Sequence, residues 1–311
     1  MPETINCLGS FEMRKSVTFK SSGLKIAGNL FTSDKPNGRT IVIGHPGTAV
    51  KEQSPALYAQ KLSEQGFTLL TFDAAYQGES EGLPRDLENP AQRIEDFKAA
   101  VSFLSVQSDI DPARIGILGI CASGGYAIPA SVGDPRVKAV ATIAAVDVGL
   151  QIRAGADGNQ DPAVLINLLE AAAEARTRVA AGEEMGRFPV FPAGQEEARA
   201  GGLHVFEGWE YYCTERCSHP RSARSLTWDS VDRMATFDAF RFIEMISPRP
   251  LLMITAENAV TAWMTLDAFE RAKEPKMLYV VDNATHVDLY DREASVNDAV
   301  SRLVDFFLEA L

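Results

Sequence analysis

Apolar and polar residues alternate over 15–20 and again over 24–31, and the two runs meet at Ser21-Ser22-Gly23. A period of two broken by a glycine turn predicts a pair of strands. A second turn, Pro36-Asn37-Gly38, leads into the apolar run 40–44, a third strand. The segment 54–65 has helical character and stops at Gly66, and 68–72 is a short apolar strand. Ile94, Phe97, Val101 and Leu104 recur three and four apart, the spacing of one helix face. After Asp111-Pro112 come the strand 115–120, a helix of small residues over 121–132 and a strand over 137–146. Strand signals then cease from 148 to 235. That stretch holds an Ala/Glu-rich helix over 162–181, a Gly/Pro-rich segment over 186–202 and a group of aromatic residues near 206–212. Alternation resumes after Pro248-Arg249-Pro250 with the strand 251–255, a helix near 265–273 and the strand 276–281. A last helix carries Val296, Val300, Leu303 and Phe307 on one face. Strands alternating with helices predict an α/β fold with a mostly parallel central sheet covered on both faces. The core is expected to comprise residues 1–148 and 236–311, with 149–235 inserted as a cap.

Composition narrows the function. Asp and Glu number 42 against 30 Lys and Arg, a net charge of −12. An acidic surface disfavours nucleic acid and anionic membranes, which reward basic faces. Met1-Pro2-Glu3-Thr4 shows no basic segment followed by an apolar one, and no apolar run approaches the ~18 residues of a membrane span. A cytoplasmic location is expected. The four cysteines are too few for a disulfide scaffold. Cys7, Cys213 and Cys217 read as packing residues. His204, Cys213, Cys217 and His219 lie close together, but their spacing is not a usual zinc pattern, and no cofactor or metal is expected.

The chemistry points to Gly119-Ile120-Cys121-Ala122-Ser123-Gly124-Gly125, where an apolar strand turns directly into a small-residue helix. In such a corner the apex residue is a nucleophile, and its neighbours two before and two after are small because strand and helix nearly touch. Cys121 at the apex sets Gly119 and Ser123 in those places. Ser123 at the apex would set Cys121 and Gly125 there, so Ser123 is the alternative nucleophile. A thiol at a helix N-terminus gains from the helix dipole. The Ala122 N–H and the Gly47 N–H in His45-Pro46-Gly47-Thr48 are the candidate oxyanion-hole donors. His45 reads as a loop-holding residue. His286, five residues beyond the apolar run ending at Val281, is the candidate general base. For the acid, Glu257 is the first candidate and Asp147 the second. Trp209, Tyr211, Tyr212 and Trp228 could line an apolar substrate pocket or glue the cap to the core.

These residues, in the order nucleophile, acid, histidine, resemble the α/β-hydrolase fold. The corner around Cys121 is similar to that of dienelactone hydrolases, which use a Cys/Asp/His triad. The resemblance extends through His45-Pro46-Gly47, Val50-Lys51-Glu52-Gln53, Phe72-Asp73, Tyr76-Gln77-Gly78-Glu79-Ser80 and His286-Val287-Asp288-Leu289-Tyr290-Asp291. It looks like the dienelactone-hydrolase-like branch that includes fungal polyketide transferases. The sequence departs from the pattern at Ser123, where glycine is usual, and at Ala259, where many hydrolases carry the acid. The resemblance implies an inserted helical cap and a Cys-His-acid triad that hydrolyses an ester, lactone or thioester through an acyl-enzyme. Acyl transfer to an alcohol or amine by the same residues is the alternative, and a non-catalytic ligand-binding member of the fold is a third. The partner implied is a small acyl substrate, with a homodimer left open.

Overall fold

The computed structural model describes residues 14–311. Eight strands form the main sheet: β1 (Arg14–Ser21), β2 (Leu24–Phe31), β3 (Thr40–Gly44), β4 (Thr68–Phe72), β5 (Ile115–Ile120), β6 (Ala139–Ile143), and two later strands, Leu251–Ala256 and Lys276–Val281. Two three-residue strands, β7 (Arg187–Pro189) and β8 (Ser225–Thr227), pair separately, so the later strands of the main sheet are β9 and β10. The order is β1-β2-β4-β3-β5-β6-β9-β10. Within this sheet the pairs β1/β2 and β2/β4 are antiparallel and the other pairs parallel. The turn between β1 and β2 puts Ser22 and Gly23 at positive φ, the geometry of a two-residue hairpin.

Every residue of β3, β5, β6 and β9 is buried. Strands buried on both faces read as continuous apolar runs, which is why the sequence marks them so clearly. The helices Ser54–Ser63 and Glu293–Ala310 cover one face with residues such as Leu57, Leu62, Val296 and Leu303. Pro90–Ser105, Ala122–Val132 and Ala262–Arg271 cover the other with Phe97, Val101, Tyr126 and Met264.

The strand expected over 137–146 is shorter, because the chain leaves the sheet at Ala144, which takes a positive φ. Between β6 and β9 the stretch read as a cap forms helices Val148–Ala154, Pro162–Ala180, Gln195–Ala200, Leu203–Cys213 and Asp229–Ala235, together with β7 and β8. Strands of three residues are too short to carry an alternation, so that small sheet has no sequence signal. No helix among the described residues is long and apolar enough to cross a membrane. Of the remaining cysteines, Cys7 lies outside the described residues. Cys213 is half-buried, and Cys217 is buried and not a free thiol.

Candidate active site

β5 ends at Ile120 and the next helix begins at Ala122, so Cys121 alone makes the corner. Its φ of 54° and ψ of −118° lie where a side chain is strained. The crossing explains the small residues around it. A Cβ on Gly119 would come within 2.2 Å of the Ser123 carbonyl oxygen, and one on Gly125 within 2.3 Å of the Val146 oxygen. Ser123 is buried and donates its hydroxyl to the His45 carbonyl at 2.6 Å. It ties the helix to the loop after β3, and its oxygen is turned away from the cavity role that Cys121 occupies.

That loop is held from several sides. His45 is fully buried. Its Nδ1 lies 2.7 Å from the Pro46 carbonyl, while Nε2 accepts from the Ala74 N–H at 3.1 Å and from Arg93 at 2.9 Å. Burial and the Arg93 charge keep the ring neutral. Lys51, also buried, pairs with Asp73, Glu52 and Glu79, and Arg221 of the inserted stretch reaches Glu52 and Glu79. The loop therefore presents its Gly47 N–H in a fixed position. That N–H, the Ala122 N–H and the Tyr290 hydroxyl all favour the thiolate form of Cys121. Despite them, the enclosure by protein pushes the thiol pKa above its ordinary value.

His286 is 3 % exposed. Its Nδ1 lies 2.6 Å from Thr261 Oγ1, and its Nε2 lies 2.8 Å from the Tyr290 hydroxyl. The His204 ring stands edge-on, 5.3 Å away. Burial, with a smaller contribution from His204, lowers the His286 pKa to about 3. The ring is therefore neutral at ordinary pH.

A cavity of about 490 Å³ opens over these groups. Its lining includes Cys121, Ala122, Gly47, Thr261, His286 and Tyr290, the apolar Val148, Ile152, Phe188, Phe191, Leu226 and Met234, and the polar Glu88, Gln151 and Gln160.

The dienelactone hydrolase family model matches residues 26–160. The uncharacterized protein YcjY of Escherichia coli K12 is 38% identical over 274 residues, covering 88% of this chain and 89% of that one. The chain belongs to the dienelactone hydrolase family. The crystal structure of hypothetical protein PA2218 from Pseudomonas aeruginosa superposes with a TM-score of 0.88 at 35% identity, over 96% of this chain and 94% of that one. Thiohydrolase aneE of Aspergillus aculeatus is 29% identical over 273 residues, 85% of this chain and 83% of its own length.

As a dienelactone-hydrolase-family enzyme of α/β-hydrolase fold, the chain brings together Cys121, Gly47, Ala122 and His286, all four selected from sequence. It does not bring the expected acid to the histidine. Glu257 is exposed and accepts the Asn283 N–H at 2.8 Å. Asp147, the second candidate, is buried and spends its oxygens on the N–H groups of Gly149, Leu150 and Ala239. Thr261, four residues beyond Glu257, occupies the place at Nδ1. A threonine after a strand carries no sequence signal for that role, and neither does a tyrosine within a helix, so the sequence alone does not point to Thr261 or Tyr290.

Of the four aromatic candidates only Tyr212 lines the cavity. In the helix Leu203–Cys213 the cavity-facing residues are His204, Gly208 and Tyr212, spaced by four as one helix face requires. Tyr211 lies about 100° round the helix from Tyr212, fully buried, and its hydroxyl accepts the Ser54 N–H. Trp209 stacks on Phe206, and Trp228 packs behind the cavity-lining Phe188. These three join the inserted stretch to itself and to the core.

Proposed function

We propose that this enzyme is a cysteine-dependent hydrolase of thioesters or activated esters with an apolar acyl group. The observation that carries the reading is Cys121 at the strained corner, lining one cavity with Gly47 and Ala122, whose backbone N–H groups favour its thiolate. A carbonyl oxygen brought to the sulfur would meet the same two donors, and they would hold it as negative charge develops. His286, neutral and buried beside Tyr290, is the base. The sulfur attacks the acyl carbon, the thiol or alcohol leaves, and water assisted by His286 cleaves the acyl-enzyme. The apolar cavity takes the acyl chain. No cofactor enters this chemistry. The thiohydrolase relative supports a thioester as substrate.

Acyl transfer is a second reading, favoured by a smaller chamber of about 240 Å³. This chamber shares His204 and His286 with the main cavity and includes Glu207, Asn258 and Thr285. A polar acceptor lodged there would sit beside the base.

Intact mass after incubation with acyl thioesters and activated esters tests the main reading. Wild type and Ser123→Ala should gain one acyl mass, and Cys121→Ala should gain none. Labelling that survives Cys121→Ala and disappears in Ser123→Ala overturns the nucleophile. Acyl release accelerated by an added alcohol or amine would favour transfer over hydrolysis.

A further inference from the structure

We propose that Tyr290 is a catalytic residue that passes the proton between the Cys121 thiol and His286. The inference rests on the cysteine acyl-enzyme reading above. Both ring nitrogens of His286 are engaged, Nδ1 by Thr261 and Nε2 by Tyr290. Tyr290 lines the same cavity as Cys121 and His286, and its hydroxyl also acts on the Cys121 thiol. In the relay, thiol and imidazole are linked through the phenol, in the order sulfur, Oη, Nε2.

The surroundings fix that oxygen. The ring of Tyr290 packs edge-on against Tyr211 at 5.1 Å and against His286 at 5.4 Å. The carbonyl of the preceding Leu289 accepts the Tyr58 hydroxyl at 2.8 Å. The following Asp291 is clamped by Arg216 through two bonds of 2.6 and 2.8 Å. With both neighbours held and its ring packed, Tyr290 keeps its hydroxyl in line with little further ordering.

The step balances as a concerted exchange. The S–H proton moves to Tyr290 Oη as the Oη–H proton moves to His286 Nε2. The sulfur electron pair forms the S–C bond, and the carbonyl π pair moves to the oxygen held by Gly47 and Ala122. On collapse, the imidazolium returns a proton through Oη to the departing thiolate or alkoxide. Tyr290 ends as the phenol it began as, and no phenolate accumulates. Nδ1–H donating to Thr261 keeps Nε2 as the acceptor throughout.

Rapid-quench mass measurement of Cys121 acylation by an aryl thioester tests the relay, with wild type and Tyr290→Phe side by side. Tyr290→Phe should acylate about 10²-fold more slowly or worse, the usual worth of positioned proton transfer, with KM little changed. The double variant Tyr290→Phe/His286→Ala should lose no more than the larger single loss, because the two residues act as one chain. In mixed H₂O/D₂O the wild-type acylation rate should bend with deuterium fraction, as two protons in flight require. A Tyr290→Phe rate equal to or above wild type, or a straight deuterium dependence in the wild type, overturns the relay. The deuterium dependence decides even if the variant fails to fold. Absence of any acyl adduct on wild-type Cys121 overturns the cysteine reading instead, so the two failures are distinct.

Discussion

His286→Gln should make the protein more resistant to acid than the wild type. Burial depresses the folded-state pKa of His286 to about 3, whereas an unfolded histidine titrates near ~6.5. As pH falls, the unfolded chain takes up the proton first, so the ring destabilises the fold. Its contribution is absent above about pH 6.5, grows below it and levels off near pH 3. The difference of about 3.5 units corresponds to about 5 kcal/mol at the acid limit. At pH 5 it amounts to about 2 kcal/mol, and at pH 4 to about 3 kcal/mol. Other buried groups titrate too. His45 and His204 are lowered in the same sense, while Asp73, Asp96, Asp147 and Asp291 are raised and act oppositely. All of these are common to both proteins, so the difference between the two pH curves isolates His286. Urea unfolding at pH 7.5, 5 and 4 reads that difference directly. Parallel curves would refute the argument and show that in solution the ring keeps an ordinary pKa, through water or a charged partner. The same result would allow a resting thiolate–imidazolium pair, which a neutral His286 forbids.

Four other substitutions follow from the same geometry. Gly119→Ala forces a Cβ against the Ser123 backbone, so it should cost about 3 kcal/mol or more, and it should abolish acylation; urea unfolding and the mass assay check both. Ser123→Ala removes the bond to the His45 carbonyl, lowering stability by about 1 kcal/mol while Cys121 still becomes acylated. Glu257→Gln should leave turnover close to wild type, as an exposed carboxylate bonded to the Asn283 N–H rather than to His286 would. Thr261→Val should instead strand Nδ1 at a cost of about 1–3 kcal/mol, a loss of about 5- to 150-fold in kcat if it falls on the transition state. Equal effects of Glu257→Gln and Thr261→Val would return the acid role to Glu257.

The fold was legible because its central strands are buried on both faces and so appear as unbroken apolar runs. β2, β3, β4, β5 and β10 begin and end where the sequence places them. The tight corner at Cys121 was legible for a steric reason: glycine at 119 and a small residue at 123 are what a strand and helix in contact require. His286 followed from chain order. The partners of His286 were hidden because hydroxyl groups do their work by position alone. Thr261 and Tyr290 resemble any other threonine or tyrosine until folding brings them to the ring. The aromatic candidates show the limit of composition. Tyr211 and Tyr212 are adjacent in sequence, yet one is in the core and the other in the cavity, because successive residues of a helix point in different directions.

The hydroxyl partners also bear on how the site rests. A carboxylate at Nδ1 would favour an imidazolium and with it a thiolate. Thr261 offers dipole without charge, and the enclosure of His286 and Cys121 penalises both ions. On the proposed mechanism the resting pair is therefore thiol and neutral imidazole, joined through Tyr290. Charge would arise only when an acyl carbon is present to take the sulfur's electrons and the Gly47 and Ala122 N–H groups can bind the resulting oxyanion. Reactivity is thereby coupled to occupation of the apolar cavity. A thiol held neutral until then is also slower to oxidise or alkylate, since the thiolate is the reactive form.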